Sequence, residues 1–196
     1  MRIFLSVLVL IFSIQSWTKA DDISEFEIEG ISIGDSLLEH FPRELIEKEK
    51  AMMDQGAYTN KEYFNAWFEG NGKFETYDYL QIHLKSNDVN YIVKSVEGKI
   101  IYKNNIEECY KKKNIIYEEL KNIFPSATVK HDKGSHSADS SGKSKTDTTY
   151  FFLANKTGII GVACYDWSIE FGKADNLKVF IDTPEFLNWL QTKAYK

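Results

Sequence analysis

Few side chains in this sequence have the type and spacing that chemistry requires. Two cysteines, Cys109 and Cys164, and four histidines, His40, His83, His131 and His136, stand among 29 acidic residues in a chain of 196. His131 and His136, with Asp132 and Asp139 close by, are the only cluster with metal-ligand character. They lie in a strongly polar stretch with no cysteine to complete a set, so they read as solvated loop histidines. His40 and His83 fall in an expected helix and strand and read as packed or surface residues. Ser141-Gly142-Lys143-Ser144 has the ending of a phosphate-binding P-loop, but the position five before Gly142 is Ser137 where that loop needs glycine. A serine nucleophile on a sharp turn would show G-x-S-x-G, and Gly134-Ser135-His136 lacks it. Carboxylates are abundant, yet spacing assigns no pair of them to one cleft. Tyr165-Asp166-Trp167 leaves an acid beside an aromatic at the end of an expected strand, which makes Asp166 and Trp167 the candidate contact site. No catalytic, cofactor-binding or metal-binding residue is expected.

These residues must be positioned by elements whose periodicity is readable. The fold expected is α+β: an antiparallel sheet of roughly five to seven strands packed with helices near 33–53, 106–123 and 184–194. Ser32 reads as a helix N-cap with Asp35 reaching back to it. Ile33, Leu37, Leu38 and Phe41 follow at helical spacing, and Pro42 opens a second helical stretch to about Met53. Tyr63 to Phe68 reads as a strand. Leu80, Ile82 and Leu84 alternate with polar residues, the pattern of a half-buried strand. Tyr91 to Val96 and Lys99 to Tyr102 read as two strands with a turn at Glu97-Gly98. Asn105 and Glu108 should cap a helix whose one face carries Ile106, Cys109, Ile116, Leu120 and Ile123, with lysines 111–113 largely on the other. Thr149 to Ala154 and Gly158 to Tyr165 form a hairpin, Leu177 to Ile181 a further strand, and Thr183-Pro184-Glu185 caps the last helix. Residues 130–149 hold one apolar side chain, Ala138. Too little burial is available there to offset ordering entropy, so a long mobile loop is expected.

The first twenty residues have the order of a secretory signal peptide: Met1-Arg2, an apolar run from Ile3 to Ile14, then a polar stretch ending in Thr18-Lys19-Ala20. Cleavage is expected between Ala20 and Asp21, leaving a single α+β domain over 21–196 and no stable membrane span. An apolar run of about twelve residues covers about 18 Å, well short of a hydrocarbon core of about 30 Å. The formal charge is −5, and 22 of the 24 basic residues are lysine. That balance removes the electrostatic attraction on which nucleic-acid binding depends, so no nucleic-acid partner is expected. In an exported chain an even thiol count points to a bridge between Cys109 and Cys164. Strand parity leaves two options open. Val162 and Cys164 face the helix, or Ile159, Gly161, Ala163 and Tyr165 do.

Gly30 to Leu38, Tyr102 to Cys109, Ser141 to Ser144 and Cys164 to Trp167, in that order over nearly the whole segment after residue 20, resemble an uncharacterised family of small exported proteins of AT-rich marine bacteria. The resemblance implies a bacterial, periplasmic or secreted protein and supplies no activity. Together these readings lead to an exported, non-enzymatic envelope binding or interaction module, its ligand or partner protein unknown. The alternative is an envelope hydrolase using carboxylates that spacing does not reveal. A pocket with two facing acids of raised pKa would favour the hydrolase, and a flat, aromatic-rimmed sheet face would favour binding.

Overall fold

The computed structural model describes residues 23–53, 58–103, 105–154 and 156–196. The expected signal segment 1–20 and the Ala20–Asp21 junction lie outside the described residues. Seven strands, β1 (Tyr63–Glu69), β2 (Tyr79–Lys85), β3 (Val93–Ile101), β4 (Thr128–Ser135), β5 (Lys145–Phe152), β6 (Ile159–Asp166) and β7 (Asn176–Asp182), form one sheet in the order β1-β2-β3-β7-β6-β5-β4. Every neighbouring pair is antiparallel. With helices α1 (Arg43–Met53), α2 (Ile106–Ile123) and α3 (Pro184–Thr192) the fold is α+β. No helix among the described residues is long and apolar enough to cross a membrane.

The two-residue period of a strand sorts the sheet into two faces. Ala66, Ile82, Val96, Ile181, Ile160 and Phe151 are successive register partners in one row across six strands. All six are buried, and Ile46 of α1 with Cys109 and Leu120 of α2 joins them in the main core. Burying side chains of this size contributes about 1.5–3 kcal/mol each. A smaller cluster lies on the opposite face. There α3 sets Phe186 and Trp189 against Tyr58, Tyr63 and Ala194.

Several expectations about local structure are corrected. No helix starts at Ser32. The Ser32 N–H does donate to Asp35 Oδ2 at 2.8 Å, but Gly34 takes φ +95°, its N–H donates to the Val93 carbonyl, and the Asp35 carbonyl accepts from the Val93 N–H instead of continuing a helix. A single 3-10 turn at Leu37–Glu39 follows, and the helix expected over 33–53 runs only from Arg43 to Met53. Glu97-Gly98 is not a turn, because β3 passes straight through it. Gly98 is glycine because a Cβ there would lie 2.6 Å from the Tyr77 ring. Asn105 makes no side-chain cap bond to α2. In α2 itself Ile123 is 41% exposed, whereas Lys113, expected on the polar face, is buried in an ion pair with Asp147. The helix expected over 184–194 ends at Thr192, and Thr183 caps its start by accepting from the Phe186 N–H at 3.2 Å.

The largest correction concerns 130–149, expected as a mobile loop. Most of it is strand: Thr128–Ser135 pairs in register with Lys145–Phe152. Hydrogen bonds and ion pairs supply what apolar burial does not. The β5 backbone is bonded on both sides, His131 Nδ1 lies 2.9 Å from Thr149 Oγ1, and Lys133 joins Lys113 on Asp147 at 3.5 Å.

Candidate functional site: the uncovered face of the sheet

Helix α3 covers only one end of the second sheet face. Beneath it lies a buried polar chain in which Tyr58 Oη is 2.9 Å from His83 Nε2 and His83 Nδ1 is 3.2 Å from Ser95 Oγ. Asp182 is the register partner of Ser95 on the neighbouring strand, with its carboxyl beside the Ser95 hydroxyl. Burial pushes His83 down to about 4 and Asp182 up to about 7, the Ser95 hydroxyl only partly opposing the latter. A Ser–His–acid relay needs the imidazole between hydroxyl and carboxylate. Here the hydroxyl stands between imidazole and carboxylate, and the tilted Phe186 ring packs against His83 with ring centroids 4.5 Å apart. The chain is a packing device.

Beyond α3 the face is half-buried, not covered. Trp67, Gln81, Glu97 and Phe180 are register partners in one row, and Tyr79, Lys99, Lys178 and Ala163 in the next. Gly161 has no side chain because the Phe180 ring lies across its backbone. Further along, Tyr165, Trp167 and Phe171 stack in sequence. Trp167 and Phe171 are 4.9 Å apart with an interplanar angle of 8°, and His136 packs 4.4 Å from Trp167. Local devices hold this stack. A 3-10 turn at Ile169–Phe171, capped by Ser168 and closed by Gly172 at φ +75°, folds Phe171 back onto Trp167. The Trp167 N–H donates to Asp175 Oδ1 at 2.9 Å. Asp139 accepts from the hydroxyls of Ser141 and Ser144 at 2.6 Å each and from Ser168 Oγ at 3.2 Å, which ties the β4–β5 turn to the β6–β7 turn. The Ser141 and Ser144 bonds hold its carboxyl well below the ordinary range.

Three lysines crown this surface. Lys173 Nζ stands 4.9 Å above the Trp167 ring, Lys178 5.4 Å above Tyr165 and Lys99 5.7 Å above Trp67, all within cation–π range. Glu97 pairs with Lys178 at 2.7 Å. Burial works against the charge on both partners, yet each holds the other ionised, so Lys178 lies above and Glu97 below its ordinary value. Burial, with Lys178 and Lys173 nearby, pushes Lys99 down to about 8 against the pull of Glu97. Among the described residues neither Lys99 nor Lys173 has a carboxylate within 4.0 Å. Local charge here is positive on a chain that is negative overall.

The residues singled out in the sequence are redistributed. Cys109 and Cys164 come to disulfide distance, Cα atoms 5.9 Å apart, and the inward set of β6 is Ile160, Val162 and Cys164. Asp166 and Trp167 separate. Asp166 has the parity of Cys164 and lies toward Tyr110 of α2, whereas Trp167 belongs to the aromatic stack. His131 packs on Tyr117 and His136 on Trp167, so the two do not converge. Among the described residues no group of three or more His, Cys, Asp or Glu side chains could hold a metal. His40 lies 3.7 Å from Asp35, and the N–H groups of Ser141 and Ser144 are spent on Asp139, leaving no phosphate cradle. Two cavities, of about 730 Å³ beside α1 and about 590 Å³ beside the 70–78 loop, carry acids such as Glu49, Glu69 and Asp78. The acids that burial raises, Asp175 and Asp182, line neither. Sequence reasoning missed Trp67, Lys99, Lys173 and Lys178. Alternation marks Lys99 and Lys178 as polar-face residues, but only the β3–β7 register makes them partners.

Neither protein-family models, nor curated proteins, nor solved structures give a match to this chain.

Proposed function

We propose that this protein is an exported, non-enzymatic binding module of a bacterial cell envelope, and that the uncovered sheet face is where its partner docks. The observation that carries this reading is the platform of Trp67, Tyr165, Trp167 and Phe171 with Lys99, Lys173 and Lys178 poised over its rings. Aromatic residues concentrate at protein interfaces because they bury large area at small entropic cost. A broad face, not a deep cleft, suits a macromolecular partner. The cysteine pair at disulfide distance and the absence, among the described residues, of a membrane-crossing helix agree with a periplasmic location. A photoreactive side chain at Gln81, on the platform, is compared with one at Ile115, exposed on α2, in the organism that encodes the chain. Adducts at position 81 and none at 115 are expected. No adduct at 81, or the same adducts at both, refutes the reading.

A further inference from the structure

We infer that the partner presents an acidic protein segment, whose carboxylates dock on Lys99 and Lys173 across the aromatic platform. This rests on the binding reading above and adds the chemistry of what is bound. Charge complementarity carries it. The chain has a formal charge of −5, yet this face gathers three ammonium groups whose only carboxylate within ion-pair distance, among the described residues, is Glu97. Glu97 is committed to Lys178. Lys99 and Lys173 are held over rings without a counter-charge, so their side chains are ordered before any anion arrives. Ordering them in advance removes part of the entropic cost that usually makes a surface ion pair worth little.

A docked carboxylate would also relieve the repulsion among the three lysines. The geometry favours a protein segment over a sugar chain. Sugars bind aromatic platforms through open ring faces. Here Trp167 is already stacked on Phe171 and topped by Lys173, and Tyr165 is topped by Lys178.

The test uses the purified chain and three labelled probes: poly-glutamate, polygalacturonate and poly-lysine, followed by fluorescence anisotropy. Saturable binding of poly-glutamate is expected, weakening as salt rises from about 0.05 M to about 0.3 M, where the screening length shortens. The K99Q/K173Q double variant should lose about tenfold in affinity, the sum of two modest exposed ion pairs. K111Q/K121Q, on exposed positions of α2, should lose none. The reversed variant K99E/K173E should abandon poly-glutamate and take up poly-lysine, a gain that a merely misfolded protein would not show. Failure of poly-glutamate to bind, or unchanged binding by K99Q/K173Q, overturns the inference. Binding of polygalacturonate in its place overturns it in favour of an acidic glycan. If photo-adducts still form at position 81 while poly-glutamate fails, the acidic partner is wrong and the docking face stands. If both fail, the face itself is wrong.

Discussion

Replacing Asp182 by asparagine should change the sign of its effect on stability between acid and alkaline solution. The Asp182 carboxyl is buried at the end of β7 beside its register partner Ser95, and its Oδ1 has no hydrogen-bond partner among the described residues. Burial raises its pKa from 3.8 to about 7. A carboxyl raised on folding carries its proton in both states below about pH 4 and costs nothing there. From about pH 4 to about 7 the unfolded chain gives the proton up while the folded chain retains it, so stability falls as pH rises through that window. Three pKa units correspond to about 4 kcal/mol at 1.36 kcal/mol per unit, all of it present as a penalty above pH 7. Asparagine has the shape of the protonated acid and never ionises. Its amide brings a donor with no acceptor in place, at a cost of about 1–2 kcal/mol at every pH. D182N should therefore be less stable than the parent by about 1–2 kcal/mol near pH 4 and more stable by about 2–3 kcal/mol at pH 8. Urea unfolding of both proteins at half-unit steps from pH 4 to 8 measures the difference. Subtraction cancels the opposing contribution of His83, which burial lowers to about 4 and which costs stability as pH falls below 6.5. A difference between variant and parent that is flat across this range would refute the reasoning.

Two further outcomes follow from the same structure. The cysteine pair closes a 55-residue separation, so the C109S/C164S variant should lose about 4 kcal/mol in urea unfolding by the chain-entropy relation, though a loss below about 1 kcal/mol would rule out a bridge that constrains the unfolded chain. Asp139→Ala leaves the Ser141, Ser144 and Ser168 hydroxyls without their shared acceptor, and trypsin should then cut at Lys143 or Lys145 before any other site. Equal cutting of variant and parent at those lysines would show that the carboxylate does not organise the turn.

Much of the fold was legible because periodicity is a local property. The alternation of Leu80, Ile82 and Leu84 and the apolar face of α2 needed only neighbouring residues to be read, and so did the Thr183-Pro184 start of α3. Three features depended on distant partners and were misread. Gly98 looks like a turn residue until the Tyr77 ring is found against it. Ser32 and Asp35 carry the bonds of a helix start, but Val93 claims the backbone first. The polar run 130–149 lacks apolar side chains, and its order derives from β6, the Asp147 ion pairs and the Asp139 turn. The candidate site was half legible: Trp167 is part of it, whereas Asp166 points the other way by the two-residue period. Its lysines come from strands far apart in sequence, and pairing across the sheet is what no local window contains.

The position of β7 has a kinetic consequence. It comes last of the seven strands in chain order, yet it lies between β3 and β6 at the middle of the sheet. Until it arrives, the chain consists of two separate meanders, β1–β3 and β4–β6, each ending in an unpaired edge that β7 will later occupy on both sides. Closure therefore joins Ser95 to Asp182, a contact distant in sequence that pays its loop entropy before it gains any ladder bonds. Folding should wait for β7 and then complete the sheet in one cooperative step. A nascent chain halted after Phe171 would hold two half-sheets and no common core.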